Sequence, residues 1–192
     1  MQLYDSSGHR KYLTPSERQE FLKASESALQ HIHTFCGTLV HTGCRISEAL
    51  ALTADRVDID DGVLIIESLK KRRKGVYRAV PVPPDFLATL DAVHNLRVLR
   101  SGPDSGRSAH LWPWSRPTGW RYVCAVMRTA GIAGLHATPK GLRHGFGIKA
   151  VVSNVPLNMT QKWLGHAQLA TTAIYADATG PEEKQIAERM WT

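Results

Sequence analysis

The feature that most constrains the fold of this chain is a single change of period. Up to Arg56 and again after Asp85 the apolar residues recur at helical spacing. Between them Val57 and Ile59 alternate with polar residues, Asp61-Gly62 is a hairpin turn signal, and Val63-Leu64-Ile65-Ile66 is a β-rich run. Tyr77 to Val82 reads as a third strand, closed by Pro83-Pro84. The expectation is a mainly α fold with a small three-stranded antiparallel sheet (α+β), the meander lying between two helical halves.

The helices carry their own punctuation. Thr14-Pro15-Ser16-Glu17 combines an N-cap, a proline at N1 and a glutamate reaching back from N3. A second helix runs from Ala28-Leu29 to His41 and stops at Gly43, and Ser47 to Leu52 adds a further turn or two. After the sheet, helical spacing returns over Asp85–Asn95, Ser115–Ala130, Pro139–Ser153, Pro156–Leu164 and Thr171–Tyr175, with Ser101–Arg107 read as a Gly/Ser/Pro loop. An amphipathic helix over 181–192 closes the chain. Residues 1–13 read as an N-terminal tail, 14–180 as one domain, and no repeat or linker interrupts it.

A chain of 192 residues with 43% hydrophobic and 21% charged residues can bury a core without staples, so a disordered or disulfide-dependent protein is excluded. Its three cysteines are scattered, which implies a reducing, cytoplasmic setting, and no stretch resembles a leader or a membrane span. The net charge of +7 points to a polyanionic partner.

Four fragments bear chemistry. In Thr42-Gly43-Cys44-Arg45-Ile46-Ser47-Glu48 an arginine falls in a helix-to-helix turn, where Glu48 can orient it from one helical turn away. Residues 69–78 place six cations, Lys70, Lys71, Arg72, Arg73, Lys74 and Arg78, in nine positions at a hairpin. Such a tip either contacts phosphates or stays solvated and protects a sheet edge. In Thr138-Pro139-Lys140-Gly141-Leu142-Arg143-His144, Lys140 and Arg143 sit one turn apart beside a positive helix end, suitable equipment for a phosphate. Last, in Leu164-Gly165-His166 through Thr171-Thr172 to Tyr175, an imidazole precedes a phenol by nine residues. Alone, Tyr175 could be a core tyrosine and His166 a helix-end residue.

In order and spacing together the four fragments resemble the tyrosine recombinase family, the phage-integrase type of site-specific DNA recombinase. The resemblance covers roughly Tyr12 to Tyr175 and implies that family's catalytic-domain fold. It implies a DNA strand-breaking and rejoining enzyme, used in recombination and integration of mobile elements, with Tyr175 as nucleophile. Arg45, Arg143 and His166 would stabilise the phosphoryl oxygens. A hairpin lysine would be the general acid, and Lys70, nearest the end of the second strand, is preferred to Lys71. Lys140 stands where the family pattern has histidine, and Lys140 or His166 would manage the phenol proton. Lys71, Arg72, Arg73, Lys74 and Arg78 would grip DNA. The partners implied are double-stranded DNA and other copies of the chain: a synaptic tetramer on DNA, a monomer when free, with the final helix docking in trans.

The chemistry asks for these groups. Charge gathers on the non-bridging oxygens, where two guanidinium forks fit and lysine does not. A free phenol of pKa ~10 is ionised in only about one molecule in 10³ at neutral pH, a deficit of roughly 4 kcal/mol, which nearby cations should reduce. The leaving 5′ oxygen needs a proton. Because the phosphotyrosyl bond retains the phosphodiester energy, neither ATP nor metal is required, and no cofactor is expected. His31, His33, Cys36, His41 and Cys44 suit no compact ligand motif. Trp112, Trp114 and Trp120 could stack bases or pack in the core. A nicking-closing enzyme of type IB topoisomerase style and a non-catalytic DNA-binding regulator are the alternative functions. The 13 residues before the first helix cannot supply the DNA-clamping domain such enzymes usually carry, and the sequence leaves open whether one is encoded upstream.

Overall fold

The computed structural model describes residues 2–69, 75–176, 181–188 and 190–191. Lys70, Lys71, Arg72, Arg73 and Lys74 lie outside the described residues.

Helix α1 (Pro15–Ser25) opens as its sequence dictates: Thr14 Oγ1 accepts the Glu17 amide at 3.2 Å, and the Glu17 carboxylate accepts the Thr14 amide at 2.9 Å. Helix α2 (Gln30–Thr42) ends at Gly43, whose φ of 60° is the left-handed cap conformation. Then come α3 (Ile46–Leu50), a 3₁₀ turn (Ala54–Arg56) and the strands β1 (Val57–Asp58), β2 (Val63–Glu67) and β3 (Tyr77–Pro81). The strands form one antiparallel sheet in the order β1-β2-β3, with Leu64 opposite Val80 and Ile66 opposite Arg78. Its buried face carries Leu64, Ile66 and Val80, and Arg78 shares that face.

After the sheet run α4 (Pro84–His94), α5 (Leu96–Ser101), α6 (Asp104–Arg107), α7 (Arg116–Thr129), α8 (Pro139–Val152), α9 (Leu157–Leu164), α10 (Ala170–Ala173) and α11 (Pro181–Glu188). The expected loop at 101–107 is therefore partly helical. Pro103 precedes a single turn whose first residue, Asp104, favours a helix start. Helix α2 lies at the centre, packed by α1, α4 and α8, and Phe21, Phe35, Leu39, Leu90, Trp112 and Leu142 fill the main core. Trp112 is thus a core residue, its indole donating to the His31 carbonyl at 2.9 Å. Among the described residues no group of three His, Cys, Asp or Glu side chains could hold a metal, and no helix is long and apolar enough to cross a membrane.

The stretch read as an N-terminal tail is anchored at Leu3, Tyr12 and Leu13. Leu3 and Tyr12 are buried in a second apolar cluster with Ile148, Leu164 and Tyr175, and Leu13 enters the main core. Burial of three large side chains in so short a stretch is reason enough for it to stay docked. Helix α11 lies against α8 of its own chain, with Met190 and Trp191 beyond it exposed.

Candidate active site

Arg45 is placed by a turn that only a few residues allow. Gly43 turns the chain out of α2, and a Cβ there would lie 2.6 Å from the Phe146 ring. Arg45 then caps α3, its amide donating to Glu48 Oε2 at 2.9 Å and its Nη1 to Glu48 Oε1 at 2.7 Å. In this pair Glu48 is wholly buried while Arg45 keeps 30% of its side chain exposed. Burial acts to raise the Glu48 carboxyl, but Arg78, the Arg45 amide and Arg45 outweigh it, so its pKa is lowered and it stays ionised.

Arg143 projects from α8 and is buried, with Nη1 on the Gly43 carbonyl and Nη2 on the Leu164 carbonyl, both at 2.8 Å. These bonds tie the Arg45 turn to the end of α9. Burial, reinforced by Arg45, brings its pKa down to about 10, which leaves it cationic at neutral pH. Beyond α9, Gly165 (φ 66°) reverses the chain into His166. The imidazole bonds through Nδ1 to Thr172 Oγ1 at 2.8 Å, and burial with the neighbouring Arg143 and Arg45 depresses its pKa to about 3. His166 is therefore neutral in this state.

Arg45, Arg143, His166 and the exposed Lys140 line one cleft of about 680 Å³. Three further residues that sequence reasoning did not place there share it: Arg116, Trp120 and Leu135. In the sequence Trp120 could either stack bases or pack in the core; its exposure on a cleft wall is a tertiary fact. Arg78 is the reverse case. Expected at the surface against DNA, its side chain is only 5% exposed and is paired to Glu48. The alternation of β3 puts residue 78 on the same face as Val80, toward the core.

Tyr175 does not line the cleft. It is fully buried, its ring nearly parallel to His166 at 6.3 Å and so close to α8 that a Cβ on Gly147 would stand 2.5 Å from it. Its hydroxyl meets His144 Nδ1 at 3.3 Å. Burial pushes the phenol up to about 12, outweighing the pull of Arg143 and Arg45 toward phenolate. The expected reduction of the phenol pKa is thus reversed in this conformation, because removal from water costs the anion more than those cations return. His144, pushed down to about 4 mainly by burial, is neutral beside it.

A family profile described as the phage integrase family matches residues 11–181. The chain belongs to the phage integrase family. Tyrosine recombinase XerA of Pyrococcus furiosus is 31% identical over 160 residues, covering 79% of this chain and 51% of the relative. Tyrosine recombinase XerC of Stutzerimonas stutzeri is 35% identical over 136 residues, covering 70% and 44%. The chain spans about half the length of the curated relatives it matches. Among solved structures, the XerA recombinase superposes with a TM-score of 0.77 at 23% identity, over 93% of this chain and 64% of that one. A lambda integrase dimer bound to a COC′ core site gives 0.65 at 24%, over 89% and 60%. Both share the family's catalytic-domain fold, mainly helical with the small antiparallel sheet.

Proposed function

We propose that this chain is the catalytic domain of a site-specific DNA recombinase. The observation that carries the reading is the convergence of Arg45, Arg143 and His166 on one cleft, with Tyr175 stacked directly behind His166. Two guanidiniums held by a buried carboxylate and by backbone carbonyls are preorganised for the non-bridging oxygens of a phosphodiester. Tyr175 Oη attacks phosphorus, the bond from phosphorus to the 5′ oxygen breaks, and a 3′-phosphotyrosyl link forms. The phenol proton passes to His166 or Lys140, and Lys70 protonates the departing 5′ oxygen. Attack by another 5′ hydroxyl reverses these steps and completes strand exchange. No group outside the chain and its DNA takes part in this balance.

Because Tyr175 is buried, attack requires the α10 segment and its tyrosine to leave this pocket when DNA occupies the cleft. Lys71, Arg72, Arg73 and Lys74 at the hairpin, with Lys140 at the cleft edge, would hold the duplex. Exchange between two sites needs a synaptic tetramer on DNA, in which α11 exchanges its place on α8 for a neighbouring protomer. The lambda integrase dimer bound to a core site supports assembly on DNA. Such a protein would work on nucleoid DNA in the cytoplasm, consistent with the surplus of cations.

The test is covalent trapping. On a library of nicked suicide duplexes with a randomised core, the wild-type chain should form an SDS-resistant adduct. Tyr175→Phe should bind the recovered sequences and form none. An adduct on the phenylalanine variant would place the nucleophile elsewhere.

A further inference from the structure

Arg78 is buried, charged and outside the cleft, yet each of its three nitrogens meets a different part of the site. Nη2 donates to Glu48 Oε2 at 2.6 Å, the carboxylate that holds Arg45. Nε donates to the Trp163 carbonyl at 2.6 Å, three residues before His166. Nη1 donates to Ser68 Oγ at 3.0 Å, two residues before Lys70. A fourth observation shows how closely the guanidinium is fitted. A Cβ on Gly165 would stand 2.9 Å from Arg78 Nη1 and 3.0 Å from its Cζ, so the turn into His166 is built around this group.

We propose that Arg78 is a positioning residue of the strand-cleaving site, fixing Arg45, His166 and Ser68 just beyond β2 in one frame; this rests on the function proposed above. Three rigid elements meet at one planar fork, and no other side chain type presents donors in that arrangement. Glu48 is shared between two guanidiniums, so Arg78 also decides how far the carboxylate turns toward Arg45. Without the fork, the Glu48 carboxylate could rotate and Arg45 would lose its fixed direction. The Trp163 carbonyl and Ser68 hydroxyl would keep their elements near the site but not in register with it. Arg78 touches no substrate; it acts through the residues that do.

Arg78→Lys keeps the charge and removes the fork. Using the duplex that traps the wild-type chain, adduct formation at saturating DNA should slow by about a hundredfold, as misplacement by about an ångström does elsewhere. DNA affinity and the salt dependence of binding should stay at wild-type level. Combining it with Glu48→Gln should cost no more than the worse of the two single changes, since both loosen the same frame. Should Arg78→Lys fail to fold, Ser68→Ala removes one arm of the frame and should slow the saturated rate by about tenfold. A wild-type saturated rate in a folded Arg78→Lys or Ser68→Ala protein would overturn the proposal, as would additive losses in the double variant. Loss of affinity with a shallower salt slope and an unchanged saturated rate would make Arg78 a phosphate contact instead. Absence of any wild-type adduct would refute the function, not the role of Arg78 in the frame.

Discussion

The two halves of the site differ in readiness. On the cleft side, proposed to bind phosphate, Arg45 and Arg143 are already held by Glu48, Gly43 and Leu164, and they face an open cleft. On the side of the proposed nucleophile, Tyr175 is wholly enclosed, protonated and turned to His144. The groups that bind charge can be preorganised at little risk, because cations in a cleft do nothing until a phosphate arrives. Under the proposed function Tyr175 makes a covalent bond to DNA, and its case is different. Keeping it in an apolar pocket couples its exposure to an event that opens the pocket.

The sharpest break of this comparison is on the prepared side. Arg45→Ala and Arg143→Ala should each lower the cleavage rate at saturating DNA by about 10²–10³-fold, the usual cost of one lost oxyanion donor. Lys71→Ala should mainly weaken binding and lessen its salt dependence. Equal losses in all three rates, measured by single-turnover adduct formation, would reduce the prepared half to general electrostatics.

The retracted side responds to crowding. Gly147→Ala puts a methyl group 2.5 Å from the Tyr175 ring, so it should destabilise the enclosed conformation by about 1–3 kcal/mol. If pocket opening limits cleavage, the rate should rise up to about tenfold while thermal stability falls. Slower cleavage by a folded Gly147→Ala protein would mean that Tyr175 attacks from this pocket. A smaller effect is spectroscopic. Taken as the difference between wild-type and Tyr175→Phe ultraviolet titrations, this phenol should ionise near 12 in the free protein. A duplex that draws it into the cleft should lower that value. Through the same linkage, its contribution to stability is present below pH 10 and fades as pH rises toward 12.

A further test lies on the acid side. His144 and His166 are held neutral, at about 4 and about 3 against a usual 6.5, so the unfolded chain binds more protons between those values. Stability contributed by their neutral burial is present above pH 6.5 and is lost as pH falls through that window. Melting temperature should drop on acidification, and His144→Gln should flatten part of the slope. An unchanged slope would show that His144 is already accessible to protons, and with it the Tyr175 pocket.

How much was legible depends on how local each cause is. The Thr14 capping box, the Gly43 stop and the Asp61-Gly62 turn are decided within a few residues, and all three stand where the sequence puts them. The Arg45–Glu48 pair is equally local, set by one turn of helix. Arg78 was misjudged although its signal was present: it has the parity of Val80 and Val82, the inward face of β3. The dense run of cations beside it points outward to solvent, whereas the parity of β3 points inward. That a carboxylate waits at depth to accept it was not in the local pattern, since Glu48 is thirty residues away. Trp120, Leu135 and Arg116 gave no motif, for a cleft wall has no period.

By itself, then, the sequence determined the element types, the order of the charged fragments and the residue types available for the proposed phosphoryl transfer. Those follow from short-range sterics, hydrogen-bonding geometry and side-chain chemistry, all written in adjacent positions. Only the tertiary structure decided which cations face the cleft, which one is buried as a strut, and that the tyrosine rests out of reach. Burial and desolvation are sums over neighbours from distant segments: Leu3, Tyr12, Ile148 and Leu164 enclose Tyr175 from three separate stretches of chain. A phenol raised to about 12 and an imidazole lowered to about 3 are consequences of that enclosure. The same two residues in water would titrate at their ordinary values.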